Sequence, residues 1–482
     1  MSRLTYTSAV AAVALFVGCA DAPRPAESSP AAVPRTNRPF DTPDWAATAN
    51  LYELNVRQYT PEGTLAAATP ELARLREMGV DVVWVMPIYP ISETKRKGSA
   101  GSYYASSSFT EVNPAFGSKA DFRAFVEEAH ARGLYVILDW TANHTGWDHP
   151  WIEEHPEFYI RDADTDTIRH AFNPQDPSGG ETDWYDIAQL DHTNPVLHDT
   201  MIADMQYWLR EFDVDGFRCD VAGFVPIAFW YKVRPALESV KPVFMLAEWG
   251  SEPEHFEACF DINYGWDFHK LLNALAEGEA NVEDVWSHQA QDTSEYPPYA
   301  YHLNFTTNHD ENSWNGTEYE RMGELADAMF VVAATFEGAP LVYSGQEEPL
   351  RRRLEFFERD PIGFRDYAKA DFFRRLLELR HDNAALRAGE AGGLARRVTL
   401  DPASDDVLAY TRERDGEAVL VLVNLDDEAQ DMRLVAGFAA GSYTDVTTGE
   451  TLALAPGTQI ALRGSGYKVF STLAPDAEAT TR

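Results

Sequence analysis

From Leu51 onward, short apolar stretches alternate with amphipathic ones, and this alternation constrains the fold more than any other feature. The apolar stretches include LYELNVRQ, VDVVWVMPI, LYVILDW, VFMLAEW and APLVYSG. Buried strands that alternate with helices are typical of a parallel sheet covered by helices. The pattern predicts an α/β fold in which eight strands close into a (β/α)8 TIM barrel. An open doubly wound sheet is the alternative, but no glycine-rich phosphate-binding loop follows the first strand.

Local signals support the helices between these strands. Ser118 precedes an amphipathic stretch that ends at Gly133, and it predicts an N-cap. The apolar positions in this stretch recur at helical spacing, at Phe122, Phe125, Val126 and Ala129.

Two regions depart from the alternation. Residues 145–190 are dense in Trp, Asp, His and Pro and are too long for an ordinary loop, which predicts an inserted subdomain after strand three. After residue 390, short strands are broken by Gly and Asp, which predicts a C-terminal all-β sandwich. We therefore expect a barrel formed by residues 46–144 and 191–389, a subdomain at 145–190 and a β domain at 390–476.

The N-terminus indicates export. Arg3 precedes an apolar run at 9–17 and then Gly18-Cys19, as in a bacterial lipoprotein signal, and an ordinary secretory signal is the alternative. The run is too short for a transmembrane helix, which needs roughly 20 residues. We expect a signal peptide at 1–19, a lipid anchor on Cys19 and a Pro/Ala-rich tether at 20–45. The protein would then be extracytoplasmic in the cell envelope (outer membrane, periplasm or cell surface), with membrane contact through the lipid alone.

The charge composition limits which ligands and partners the protein can bind. The chain has 40 basic and 77 acidic residues, a formal charge of −37. Such a chain repels nucleic acid and anionic membranes, so we expect a neutral or cationic ligand and no nucleic-acid partner. We also expect a monomer. Three cysteines are too few for a disulfide framework, and Cys219 and Cys259 are interpreted as buried apolar side chains.

Polar side chains cluster where the predicted strands end. The carboxyl ends of the strands in such a barrel surround one cleft. The residues at or near these ends are Asp139, Asn143, His144, Arg218, Asp220, Glu248, Asp261, Asn308, His309 and Asp310. Closure of the barrel would gather several carboxylates around one substrate.

Carboxylates in one cleft fit glycoside cleavage, whose transition state is positively charged at the sugar ring. Asp220 lies two residues after Arg218, which predicts a depressed pKa and a nucleophile. Glu248 follows an apolar run, which predicts a raised pKa and an acid/base role. Asp310 would bind sugar hydroxyls. The spacing HExxH of a zinc site is absent, and no cofactor is expected for catalysis.

Four ordered segments, LDWTANH, GFRCDVAGF, FMLAEW and FTTNHD, resemble the conserved regions of the α-amylase family of glycoside hydrolases. The resemblance implies a retaining enzyme with Asp220 as nucleophile, Glu248 as acid/base and Asp310 as transition-state stabiliser. It also implies a set of substrate-binding residues, namely Arg218, His144, His309 and a stacking tyrosine at Tyr104, with Tyr103 as the other register.

The chain also departs from that family. Gly223 and Phe224 stand where members often carry Lys-His on the leaving-group side. Many members bind a structural calcium ion through an Asn that matches Asn143 and an Asp whose place is taken here by Gln189. The resemblance therefore leaves a structural calcium ion at Asn143 open.

The function expected from the sequence is retaining hydrolysis of α-1,4 bonds in starch or maltodextrins through a glycosyl-aspartate intermediate. Alternatives with the same chemistry are α-1,6 cleavage, cyclodextrin degradation and transglycosylation. A non-catalytic glycan-binding surface protein is the alternative from another class.

Overall fold

The structure, a computed structural model, describes residues 38–175 and 182–472. The predicted signal peptide with Cys19, most of the predicted tether and residues 473–476 lie outside the described residues. Within the described ranges, no helix is both long enough and apolar enough to cross a membrane.

The strands follow one another in chain order. They are β1 (Leu51–Leu54), β2 (Val82–Val85), β3 (Tyr135–Trp140), β4 (His144–Gly146), β5 (Ile187–Gln189), β6 (Gly216–Cys219), β7 (Phe244–Ala247), β8 (Ile262–Tyr264), β9 (His302–Asn304), β10 (Ala339–Tyr343), β11 (Arg396–Arg397), β12 (Thr399–Asp401), β13 (Val407–Arg414), β14 (Glu417–Asn424), β15 (Gln430–Ala436), β16 (Gly441–Asp445), β17 (Thr451–Leu454), β18 (Gln459–Leu462) and β19 (Tyr467–Ser471).

The helices separate these strands. They are α1 (Val56–Tyr59), α2 (Leu65–Ala68), α3 (Leu72–Glu77), α4 (Lys119–Ala131), α5 (Trp151–Glu154), α6 (Pro195–Phe212), α7 (Ile227–Glu238), α8 (His255–Ala258), α9 (Trp266–Glu277), α10 (Val282–Glu295), α11 (Glu318–Met322), α12 (Ala326–Thr335) and α13 (Ala370–Asp382). Ser118 caps α4 as predicted, because its hydroxyl accepts a hydrogen bond from the backbone of Asp121 at 3.3 Å.

Eight parallel strands close a barrel in the order β1-β10-β9-β8-β7-β6-β3-β2. Side chains alternate along each strand, so one set points into the barrel and the other packs under the helices. Leu51, Ile137 and Leu246 belong to the inner cluster. Phe217 and Cys219 belong to the outer one. The predicted TIM barrel is confirmed.

The C-terminal region forms two antiparallel sheets, β11-β13-β14-β19-β16-β17 and β12-β15-β18. Their facing sides bury an apolar cluster that includes Leu420, Leu434, Ile460 and Phe470. The predicted C-terminal β domain is confirmed, although β11, β12, β17 and β18 were not anticipated. The insertion after strand three begins at β4 and ends at β5, and these two strands pair antiparallel.

Residues 38–45, assigned above to the tether, pack against the amino end of the barrel instead. Trp45 stacks on Tyr135 with ring centroids 4.0 Å apart. Thr42 donates a hydrogen bond to Asp261 at 2.7 Å. The tether prediction was wrong for these residues because, despite the Pro and Ala content, two aromatic side chains bind the segment to the barrel: Trp45 stacks on Tyr135, and Phe40 packs against the guanidinium of Arg234.

Candidate active site

The inward-facing positions of the barrel change from apolar to charged towards the carboxyl ends of the strands. Leu51 is followed two residues later by Glu53, and Ile137 by Asp139, on the same face. Glu53, Asp139 and Arg218 are each 0% exposed. Wholly buried charges are tolerated only when they are paired, so these side chains must form a network.

Arg218 is the centre of that network. Its Nη1 donates hydrogen bonds to Asp139 Oδ1 at 2.8 Å and to Asp220 Oδ1 at 3.0 Å. Its Nη2 lies 3.0 Å from Glu248 Oε2. One guanidinium therefore holds the predicted nucleophile and the predicted acid/base side by side, at the ends of neighbouring strands β6 and β7.

The backbone after Asp220 contributes to this arrangement. Val221 adopts the left-handed conformation, with φ 39° and ψ 47°. A β-branched residue reaches this region only at a cost of about 1–3 kcal/mol, and such strain is concentrated at functional sites. The backbone N–H of Val221 donates to Glu248 Oε2 at 2.7 Å. The strained residue therefore helps to orient the carboxyl of Glu248.

The pKa of Glu248 shifts in the predicted direction, whereas that of Asp220 does not. Burial raises the pKa of Glu248, as predicted, and it outweighs the opposing effect of Arg218. Burial and the charge of Glu248 also raise the pKa of Asp220 well above its ordinary value. The predicted depression at Asp220 was wrong because burial and the neighbouring charge of Glu248 together outweigh the opposing effect of Arg218. Raised pKa values on both side chains favour a pair that holds one proton between them.

A second set of contacts joins the other side of the cluster. The Tyr104 hydroxyl lies 2.7 Å from His309 Nε2 and 3.2 Å from Asp139 Oδ2. His309 Nδ1 lies 2.5 Å from Glu53 Oε1. Burial lowers the pKa of His309, but the charges of Asp310 and Glu53 outweigh burial and raise that pKa to about 9. His309 is therefore a cation at neutral pH.

The remaining predicted binding residues lie around the same centre. Tyr104 reaches the cluster, whereas the Tyr103 hydroxyl turns away and donates to Asn55 at 2.9 Å. His144 Nε2 lies 4.0 Å from Asp220 Oδ2, and burial lowers the pKa of His144 to about 4, so its imidazole is neutral. Asp310 is more accessible, with a side chain 37% exposed, and it accepts a hydrogen bond from Trp314 Nε1 at 3.1 Å.

Trp249 accounts for the departure at Gly223. A Cβ on Gly223 would lie 2.1 Å from Trp249 Cε2, so any larger residue there would have to displace the Trp249 ring. Trp249 also packs against Phe224, with centroids 5.1 Å apart. The space beside Glu248 is therefore bounded by aromatic rings.

The residues around Asn143 do not fit a calcium ion. The side-chain N–H groups of Gln189 donate to Asn143 Oδ1 at 2.9 Å and to the Asn143 carbonyl at 3.0 Å. Both oxygens that would bind a cation are thus occupied by an amide donor, and calcium prefers carboxylate and carbonyl oxygens. Within the described ranges, no cluster of three or more His, Cys, Asp or Glu side chains could hold a metal ion.

The sequence misplaced one residue of the site and missed others. Asp261 precedes β8 at the opposite end of the barrel and pairs with Arg234 at 2.7 Å, so its assignment to the site was wrong. Glu53, Trp84 and Trp314 contact site residues but were not predicted. A lone carboxylate in the apolar run LYELN was the available signal for Glu53.

Comparison with known proteins agrees with this geometry. The family description "Alpha amylase, catalytic domain" matches residues 36–352, and "Maltogenic Amylase, C-terminal domain" matches residues 398–469. Alpha-amylase MalA of Haloarcula japonica is 29% identical over 420 residues, which span 86% of this chain but only 60% of that longer relative. The maltogenic alpha-amylase of Bacillus acidopullulyticus is 24% identical, over 89% of this chain and 78% of the relative.

Solved structures are similar as well. The noncanonic maltogenic alpha-amylase AmyB of Thermotoga neapolitana superposes with a TM-score of 0.77 at 27% identity, covering 88% of this chain and 98% of that one. An alpha-amylase of Lactobacillus plantarum gives 0.77 at 28% identity, covering 89% and 99%. Because the catalytic-domain description matches well over half of the sequence, the chain belongs to the α-amylase family of glycoside hydrolases and is an enzyme that acts on glycosidic bonds.

Proposed function

We propose that the protein hydrolyses α-1,4-glucosidic bonds of starch or maltodextrins with retention of anomeric configuration. The observation that carries the proposal is the shared guanidinium: Asp220 Oδ1 and Glu248 Oε2 each lie 3.0 Å from Arg218. Retaining glycosidases keep their two carboxyl groups about 5–5.5 Å apart, whereas inverting enzymes leave room for a water between them. Two carboxyls on one cation fit the closer arrangement.

The first step forms a covalent intermediate. Arg218 binds Asp220 Oδ1, which leaves Oδ2 to bond to the anomeric carbon. As that bond forms, the bond from the anomeric carbon to the glycosidic oxygen breaks, and Glu248 gives its proton to the leaving oxygen. The carboxylates of Asp220 and Asp310 stabilise the positive charge on the sugar ring in the transition state.

The second step returns the enzyme to its starting state. Glu248, now ionised, takes a proton from a water molecule whose oxygen bonds to the anomeric carbon. The bond to Asp220 Oδ2 breaks with its electron pair returning to the carboxylate. Two displacements at one carbon give net retention.

The choice of an α-1,4-glucan rests on two kinds of support. The net charge of −37 disfavours anionic polymers, and a neutral glucan suffers no such repulsion. The relatives named above are amylases and maltogenic amylases. Tyr104, His309 and Asp310 would bind the ring whose bond is cut.

The test is release of reducing sugar from soluble starch. We expect Glu248→Gln to lower kcat by about 10²–10⁴-fold, the usual contribution of a general acid and base. Glu254→Gln is the matched control, because Glu254 is an exposed carboxylate in the same connection between β7 and β8, and it should leave kcat unchanged. Binding of starch by wild type and Glu248→Gln without cleavage by either would instead establish a glycan-binding protein.

We also propose that the protein is held in the cell envelope by a lipid on Cys19. The support is the sequence at 9–19, and Cys19 lies outside the described residues. Cys19→Ser is expected to release the protein from the membrane fraction. An unchanged membrane fraction would refute the anchor and leave the enzymatic proposal untouched.

A further inference from the structure

We propose that one end of the cleft is closed by a wall of contacting loops, so that the enzyme cuts glucans from their non-reducing ends. The proposal rests on the proposed function. The glycone wall consists of residues 97–100 after β2, Tyr185 and Asp186 of the insertion, Trp314 after β9, and residues 356–358 after β10.

The position of the wall follows from the chemistry of the site. Glu248 protonates the leaving oxygen, so the leaving part of the substrate lies on the side of Glu248 and Trp249. The part that stays bonded to Asp220 lies on the other side, towards Tyr104. Beyond Tyr104 comes Phe356, whose ring is nearly parallel to that of Tyr104, with centroids 6.4 Å apart. The glycone part of a substrate therefore points at the wall.

Backbone contacts join the loops after β2 and β10. Ala100 N–H donates to the carbonyl of Phe357 at 2.9 Å, and Ser99 N–H donates to Glu358 Oε1 at 2.9 Å. Gly98 has a φ of +59°, and a Cβ there would lie 2.6 Å from Phe357 Cβ. The two loops meet in direct contact over these residues.

Lys97 joins the loops after β2 and β10 to the insertion. Its Nζ lies 3.2 Å from Asp186 Oδ1, 4.8 Å from the centre of the Tyr185 ring and 5.5 Å from that of Phe357. The side chains of Lys97 and Asp186 are only 11% and 5% exposed, so solvent is largely excluded from this ion pair, although Tyr185 beside it is 49% exposed.

Trp314 adds a contact from the loop after β9. Its ring lies 5.1 Å from Phe356 and 5.6 Å from Phe357, and its indole N–H donates to Asp310. The wall is thus tied to the reaction centre itself. A glucan that continued past the glycone end would have to part these contacts, whereas a chain end would stop against them.

The test compares two substrates that differ only at the non-reducing end: maltoheptaose, and maltoheptaose with a cyclic acetal on its non-reducing glucose. We expect the blocked substrate to react at least about 100-fold more slowly, as displacement of a bound substrate by an ångström or more implies. Similar rates on both substrates would overturn the closure. Failure to cleave either one would refute the proposed function instead.

Variants of two nearby lysines assign the effect to the wall. Lys97→Ala removes the junction and is expected to raise the ratio of blocked to free rates about 10-fold. Lys95→Ala is the matched control, because Lys95 lies over the Trp147 ring at 3.3 Å and makes none of the wall contacts described above; it should leave the ratio unchanged. An unchanged ratio in a folded Lys97→Ala would overturn the assignment. If Lys97→Ala does not fold, the wild-type comparison decides the closure.

Discussion

Replacing Arg218 by Met tests whether this one cation holds the buried carboxylates in place. The substitution keeps an unbranched side chain but removes the charge 2.8 Å from Asp139 and 3.0 Å from both Asp220 and Glu248. Removing one partner of a buried ion pair costs about 3–5 kcal/mol, because the other charge is left unpaired. At roughly 2 °C per kcal/mol, Tm should fall by about 6–10 °C.

The loss of stability should depend on pH. Burial raises the folded-state pKa values of Asp139, Asp220 and Glu248, and Arg218 opposes that rise, so these pKa values should rise further without Arg218. A carboxyl with a raised folded pKa binds its proton more tightly in the folded state, so the variant loses stability as pH rises through that window and regains it as pH falls. Differential scanning calorimetry between pH 5 and 9 should show a deficit in Tm that shrinks on the acid side.

Two controls make the test specific. Arg380 is equally buried, but its guanidinium contacts two backbone carbonyls and the side-chain oxygen of Asn50. Arg380→Met should therefore lose stability without the same recovery in acid. Adding Asp139→Asn to Arg218→Met removes one unpaired charge and should restore at least about 1 kcal/mol. An equal deficit at pH 5 and pH 8, or no recovery in the double variant, would refute the reasoning.

Three further predictions each depend on a particular contact in the structure. Gly223→Ala should displace Trp249 and raise the KM for maltoheptaose several-fold, as measured by steady-state kinetics. Gly441→Ala is the control and should leave this KM unchanged, because no atom lies within 4 Å of the added Cβ. A chelator should leave Tm unchanged, because Gln189 binds the oxygens of Asn143 that a calcium ion would need, and a fall in Tm would contradict that. The charge of His309 should stabilise the folded protein fully at pH values below the unfolded pKa of 6.5, and this stabilisation should be lost as the pH rises through about 9. Thermal denaturation as a function of pH measures the loss, which should be smaller in Glu53→Gln.

The sequence predicts those parts of the molecule that depend on local periodicity. The helix α4 follows from its apolar spacing and from the N-cap at Ser118, and the barrel follows from strands that alternate with such helices. The positions of Asp220, Glu248 and Asp310 at strand ends then place them near one cleft.

Other features depend on partners that are distant in the chain. Glu53 contacts His309 across 256 positions, so only the closed barrel reveals the pair. The raised pKa of Asp220 depends on its burial and on the nearby charge of Glu248, and neither follows from the spacing between Arg218 and Asp220. The wall at Lys97 arises where separate loops meet, and no single segment carries its signal.

The central claim is that Asp220 forms a covalent bond to the sugar. A glucosyl fluoride with a second fluorine on the ring destabilises the charged transition states and slows breakdown of the intermediate, so that the glycosyl-enzyme accumulates. Peptide mass mapping after such a reaction should find the sugar attached to Asp220. Attachment to another carboxylate, or rapid turnover of maltodextrins with inversion of configuration, would contradict the account.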